Sequence, residues 1–139
     1  MLAANAEMRD TVTDVLALVR AERRRNKKSF EVRRSAIEGR GLFSRRGLSA
    51  GVTLLYIGEL VDAPPAGGRY TVDHGLEEGM FVVPLAHCRP YAAYANHGEG
   101  GALEFVWGGD FPLLRLRRDV RAGEELCVDY GPWGAAFGK

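Results

Sequence analysis

A mainly β domain preceded by one amphipathic helix is the fold class that the sequence predicts, and three observations predict it. Six short runs rich in β-branched, aromatic and leucine residues succeed one another from residue 30 onward, at 30–32, 52–57, 80–83, 103–107, 113–116 and 125–128, with glycine and proline between them. Ahead of them, Met8, Val12, Val15, Leu16 and Val19 recur at helical spacing. The 139 residues, 46% hydrophobic and 27% charged, suffice for one core and show no break in composition.

The helix is expected over 10–25 and runs into Arg23-Arg24-Arg25-Asn26-Lys27-Lys28, whose density of like charge predicts a solvated linker or a basic tag. Residues 1–29 are therefore read as an N-terminal helix and basic linker, and 30–139 as the folded domain. The helix leaves open whether the chain pairs with a second copy as a homodimer. Pro64-Pro65 and Gly67-Gly68 place a loop at 61–68, because proline and paired glycines oppose regular structure.

Charge is distributed unevenly. Residues 1–46 carry twelve Lys and Arg against six Asp and Glu, and the remainder carries seven against twelve. An acidic body attracts a basic polypeptide. The aromatic platforms interleaved with basic residues that single-strand binders use are absent, so direct nucleic-acid binding is not expected. No apolar run approaches the roughly 18 residues that span a bilayer, and the N-terminus lacks a secretory signal, so a soluble, intracellular protein is expected, nuclear or cytoplasmic. Cys88 and Cys127 are too few for a disulfide framework, and no CxxC pair offers a zinc site, so no metal is expected.

Four segments carry the chemistry. Ile37-Glu38-Gly39-Arg40-Gly41-Leu42-Phe43 holds two glycines one residue apart, which allow a tight backbone path with exposed peptide groups near a ligand. Leu55-Tyr56-Ile57-Gly58-Glu59 puts a phenol at the end of an apolar strand. Tyr94-Ala95-Asn96-His97-Gly98 and Gly123-Glu124-Glu125-Leu126-Cys127-Val128-Asp129-Tyr130-Gly131 follow. Each alone reads as a turn or a core residue with local hydrogen bonds.

In this order, over residues 30 to about 133, the four together resemble the SET-domain protein-lysine methyltransferases, in the compact form of viral and bacterial members without a large substrate-recognition insert. The resemblance implies small twisted β-sheets and a C-terminal segment threaded, pseudoknot-like, beneath the loop that carries the Asn-His pair. It implies S-adenosylmethionine as methyl donor. Gly39, Arg40, Gly41, Tyr94, Asn96 and His97 would hold the donor, Trp133 would close the site by packing, and Phe137 is a second candidate for that packing. Tyr130 would orient the sulfonium methyl and the lysine nitrogen, and Tyr56 would line the same channel.

Two departures accompany it. Where the family has Asn-His-Ser-Cys and then Pro-Asn, this chain has Asn96-His97-Gly98-Glu99 and then Gly101-Ala102, and the zinc-binding cysteine triplet that follows the domain in many histone-directed members is missing. The channel positions that hold a tyrosine in members limited to one methyl carry Phe105, on a gapless register, and Val128, so di- or trimethyl-lysine is expected. The expected partner is a protein with its lysine in a basic segment such as a histone tail. The alternative on the same fold is a catalytically inactive module that binds basic peptides.

Overall fold

The computed structural model describes residues 2–62, 70–73, 80–107 and 109–129, with the backbone alone for 2–13 and 73. Helix α1 spans Leu2–Asn26 and is followed by β1 (Phe30–Arg34), β2 (Arg40–Ser44), β3 (Thr53–Leu55), β4 (Glu59–Val61), β5 (Val72–Asp73) and β6 (Phe81–Val83). A short 3-10 helix, Tyr91–Tyr94, precedes β7 (Leu103–Val106) and β8 (Leu113–Leu116). All ladder pairs are antiparallel, in three small sheets of order β1-β2, β3-β8-β7 and β4-β6-β5.

α1 belongs to the body of the fold. Val15 and Val19 are buried against Ile57 and Leu85, with Leu55 and Phe111 packed at the margin. Burial of this kind contributes about 1.5–3 kcal/mol per aliphatic side chain. The basic run is also part of the structure, which corrects the reading of a solvated linker beginning at Arg23. Arg23 donates to the Arg89 carbonyl (2.8 Å) and lies over the Tyr91 ring, and Arg25 pairs with Glu22 (2.8 Å). The helix continues through Asn26, whose side chain donates to the Glu22 carbonyl.

Three predicted runs become β3, β6 and β7 with trimmed ends, 30–32 extends to Arg34 as β1, and 113–116 becomes β8 as it stands. β2, β4 and β5 lie where no strand was predicted. Val61, expected to open the 61–68 loop, instead ends β4 because it pairs with Phe81, and 63–69 lie outside the described residues. In the β3-β8-β7 sheet the paired residues Leu54, Leu114 and Phe105 share one face, which carries the main core. Leu55, Leu113 and Val106 share the other, on the side that lines a cavity with Leu18 of α1.

The run at 125–128 is hydrogen-bonded but forms no regular strand, because its partner changes at nearly every residue. Leu126 N–H donates to the Leu42 carbonyl (2.8 Å), Val128 N–H to Asn96 (2.9 Å), and the Cys127 and Val128 carbonyls accept from Leu103 (2.9 Å) and Gly98 (3.1 Å). The C-terminal segment therefore runs between the two limbs of the 96–103 loop, with Val128 bridged to both His97 and Leu103. Glycine makes that passage sterically possible. A β-carbon on Gly98 would lie 2.8 Å from Cys127 Cβ, and one on Gly101 would overlap the Cys127 carbonyl oxygen.

Candidate functional site

β1 and β2 form a hairpin whose five-residue loop, 35–39, closes with Ser35 N–H donating to the Gly39 carbonyl (2.7 Å). Gly39 takes φ +48°, a left-handed conformation that glycine adopts without steric cost, and is exposed with open space at its missing side chain. Ser35 Oγ accepts from Ile37 N–H (2.9 Å) and so sets the loop from within. Arg40 is exposed at the start of β2, and Gly41 is buried. The two glycines do different jobs. The space of the side chain that Gly41 lacks is taken by Glu125, since a β-carbon there would overlap the Glu125 carboxylate and approach Ser35 Cβ to 3.0 Å.

Asn96 lies where this hairpin loop meets the C-terminal segment. Its Nδ2 donates to Ser35 Oγ (3.0 Å), to the Glu38 carbonyl (3.1 Å) and to Glu125 Oε2 (2.9 Å). Ser35 Oγ in turn donates to Glu125 (2.7 Å to Oε2). The side chain is 1% exposed, and its Oδ1 is buried without a hydrogen-bond partner among the described residues. A buried unpaired acceptor costs about 1–3 kcal/mol, so an oxygen in this state marks a place where a donor belongs. His97 is exposed on the neighbouring bridge residue, and Tyr94 is half-buried at the end of the 3-10 helix.

A second group is aromatic. Tyr56, 2% exposed just beyond β3, donates its hydroxyl to the Tyr70 carbonyl (2.5 Å). Its ring centre is 6.0 Å from that of Phe105, which stacks on Trp107 at 5.1 Å and 7°. Tyr70, at φ 67°, sets its ring 6.5 Å from Tyr94 in an edge contact. Val128 is fully buried in the same core. The described residues thus bring Gly41 and Asn96 together at Glu125, with Gly39 in the adjoining hairpin loop and Arg40 exposed beside it, and they bring Tyr56 against Phe105. Tyr130, Trp133 and Phe137 lie outside the described residues.

Ser35, Tyr70 and Glu125 take part in these networks without having been picked out by sequence reasoning. Glu125 sits within a quoted motif, but its partner is 29 residues away, and Ser35 carries no pattern at all. A cavity of about 580 Å³ lies on the other face of the β3-β8-β7 sheet, between Leu18, Leu55, Val106, Phe111 and Leu113. Its walls are mostly apolar and hold none of the sequence-selected residues, so the convergent polar groups around Asn96 are the better candidate site. Among the described residues no three His, Cys, Asp or Glu converge as a metal site, and no helix is long and apolar enough to cross a membrane.

No protein-family model and no curated protein matches the chain. Among solved structures, the fold is similar to the crystal structure of a "putative histone methyltransferase" of Plasmodium falciparum, at a TM-score of 0.55 and 13% identity over 75% of this chain and 94% of that one. At that identity the likeness is one of fold: small antiparallel β-sheets with a helix, as in a methyltransferase-like neighbour.

Proposed function

We propose that this chain is a SET-domain enzyme that transfers methyl groups from S-adenosylmethionine to lysine side chains of a protein substrate. The observation that carries the reading is Asn96 Oδ1, a buried acceptor without a partner among the described residues, on a side chain bonded to the Glu38 carbonyl, next to a C-terminal segment that runs between the limbs of the 96–103 loop. An ammonium group is the donor that fits it, and the amino-acid end of the donor molecule supplies one. Exposed Gly39 and Arg40, with Asn96 and His97, would hold that molecule, and Tyr94 would pack beside it. The altered loop sequence is compatible with an intact crossing, because Gly98 and Gly101 stand where a side chain would meet Cys127.

When bound, S-adenosylmethionine supplies an electrophilic methyl group on a sulfonium. The residues of this chain prepare the nucleophile. A lysine amine has a pKa near ~10.4 in water and attacks only when neutral. Tyr56 and Phe105 offer an apolar aromatic wall that disfavours the ammonium form and excludes water. Tyr130 is assigned the orienting hydroxyl, and neither Val128 nor Phe105 adds one to the channel. Positioning of two bound reactants accounts for most of the remaining acceleration. The acidic balance of residues 47–139 suits a lysine in a basic segment, such as a histone tail.

Calorimetric titration with S-adenosylhomocysteine and with a nicotinamide dinucleotide tests the reading. Saturable binding of the former alone is expected. Equal or tighter binding of the dinucleotide would overturn the assignment.

A further inference from the structure

We infer that Glu125 is a positioning residue, which locks the Asn96 amide so that its Oδ1 faces the donor molecule's ammonium group. The inference rests on the proposed methyltransferase reading and adds a residue that acts through Asn96. A primary amide offers a donor end and an acceptor end of nearly equal shape, and nothing intrinsic to asparagine decides which end faces a ligand. Here the surroundings decide. Three acceptors surround Nδ2: Ser35 Oγ, the Glu38 carbonyl and the Glu125 carboxylate, at 2.9–3.1 Å.

Rotating the amide by half a turn would put Oδ1 against that carboxylate and that carbonyl, oxygen against oxygen, and would turn Nδ2 toward the ligand side. Among the three acceptors the carboxylate alone is charged, so it contributes the largest share of the preference. Ser35 keeps the carboxylate in place by donating to it, and can serve Asn96 only as an acceptor while it does so. The absent side chain of Gly41 is what admits the carboxylate to this position. The second glycine of Gly39-Arg40-Gly41, the asparagine of Asn96-His97 and the second glutamate of Gly123-Glu124-Glu125 therefore form one device. It selects an N–H donor and rejects an acceptor at the same spot.

Affinity for S-adenosylhomocysteine, compared with that for its analogue in which the α-ammonium is replaced by hydrogen, tests this in wild type, Glu125→Met, Glu125→Gln and Ser35→Ala. Loss of a hydrogen bond to a charged group corresponds to roughly tenfold or more in affinity. Glu125→Met is expected to lose at least that for S-adenosylhomocysteine and to leave the analogue within about threefold. Glu125→Gln, which can still accept from Nδ2, is expected to restore most of the loss, and Ser35→Ala to show a smaller loss of the same selectivity. Ser35→Ala and Glu125→Gln keep the test decisive should Glu125→Met fail to fold. Equal losses for both ligands, or none for either, across the variants that fold would overturn the positioning role while leaving the methyltransferase reading in place. Wild type binding neither ligand would overturn both.

Discussion

Gly101 sits so closely over Cys127 that a β-carbon on it would overlap the Cys127 carbonyl oxygen, while that same carbonyl accepts the Leu103 N–H at 2.9 Å. The crossing of the 96–103 loop over the C-terminal segment thus depends on a glycine held against backbone that cannot yield without losing a hydrogen bond. Gly101→Ala is expected to destabilise the fold by about 2–3 kcal/mol, in the range of overpacked cores. Urea unfolding checks it. Wild-type stability in the alanine variant would mean that the loop and segment are not in contact there.

Glu22 is the polar link between α1 and the sheet. It is 4% exposed, accepts the Leu55 N–H of edge strand β3 at 3.2 Å and pairs with Arg25. Truncation leaves that N–H without its acceptor, and Glu22→Ala is expected to cost about 1–3 kcal/mol, with Glu22→Gln milder because the amide oxygen still accepts. Thermal unfolding of the two variants measures the difference.

Arg118 donates to Glu124 at 2.6 Å and, chiefly through that bond, holds the carboxyl below its usual range; the Arg121 N–H adds to the effect. A carboxyl depressed in the folded state contributes stability above its unfolded value, and this is lost as pH falls through the folded value. Arg118 is exposed and Glu124 partly so, and the contribution is small and screened by salt. Arg118→Ala is expected to lower the melting temperature slightly at neutral pH, with the gap to wild type closing in acid below the lowered Glu124 value. A gap that widened in acid would contradict this sign.

Phe105 faces Tyr56 on the core side of β7 and brings no hydroxyl to anchor a water in the proposed channel. A methylated amine can then rotate and still present its lone pair. Mass spectrometry over a long time course is expected to show di- or trimethyl-lysine, and Phe105→Tyr to shift the product toward monomethyl. A wild-type reaction that stopped at one methyl with donor in excess would sink the channel assignment.

Elements with a local signature were legible in the sequence. The stripe through Val15 and Val19 announced α1, and the runs at 103–107 and 113–116 announced the two strands β7 and β8. Two glycines one residue apart, Gly39 and Gly41, suggest a tight backbone path or a turn and not a strand; in place, Gly41 belongs to β2 and lacks the side chain that would exclude Glu125. β5, two residues long beside Tyr70, carries too little pattern to be found. The resemblance named Asn96, but what fixes its amide comes from Ser35, 61 residues away, and from Glu125. Periodicity and local propensity do not encode such pairings; the folded topology does.

Transfer of labelled methyl groups from S-adenosylmethionine to a panel of histones, run side by side for wild type and Tyr130→Phe, tests the central claim most directly. Wild type is expected to label lysine, identified after complete hydrolysis. The phenylalanine variant is expected to fall by about a hundredfold or more while still binding S-adenosylhomocysteine within about threefold of wild type, since the missing hydroxyl acts at the transferring methyl. Equal labelling by both proteins, or no labelling of any histone by wild type with donor bound, would contradict it.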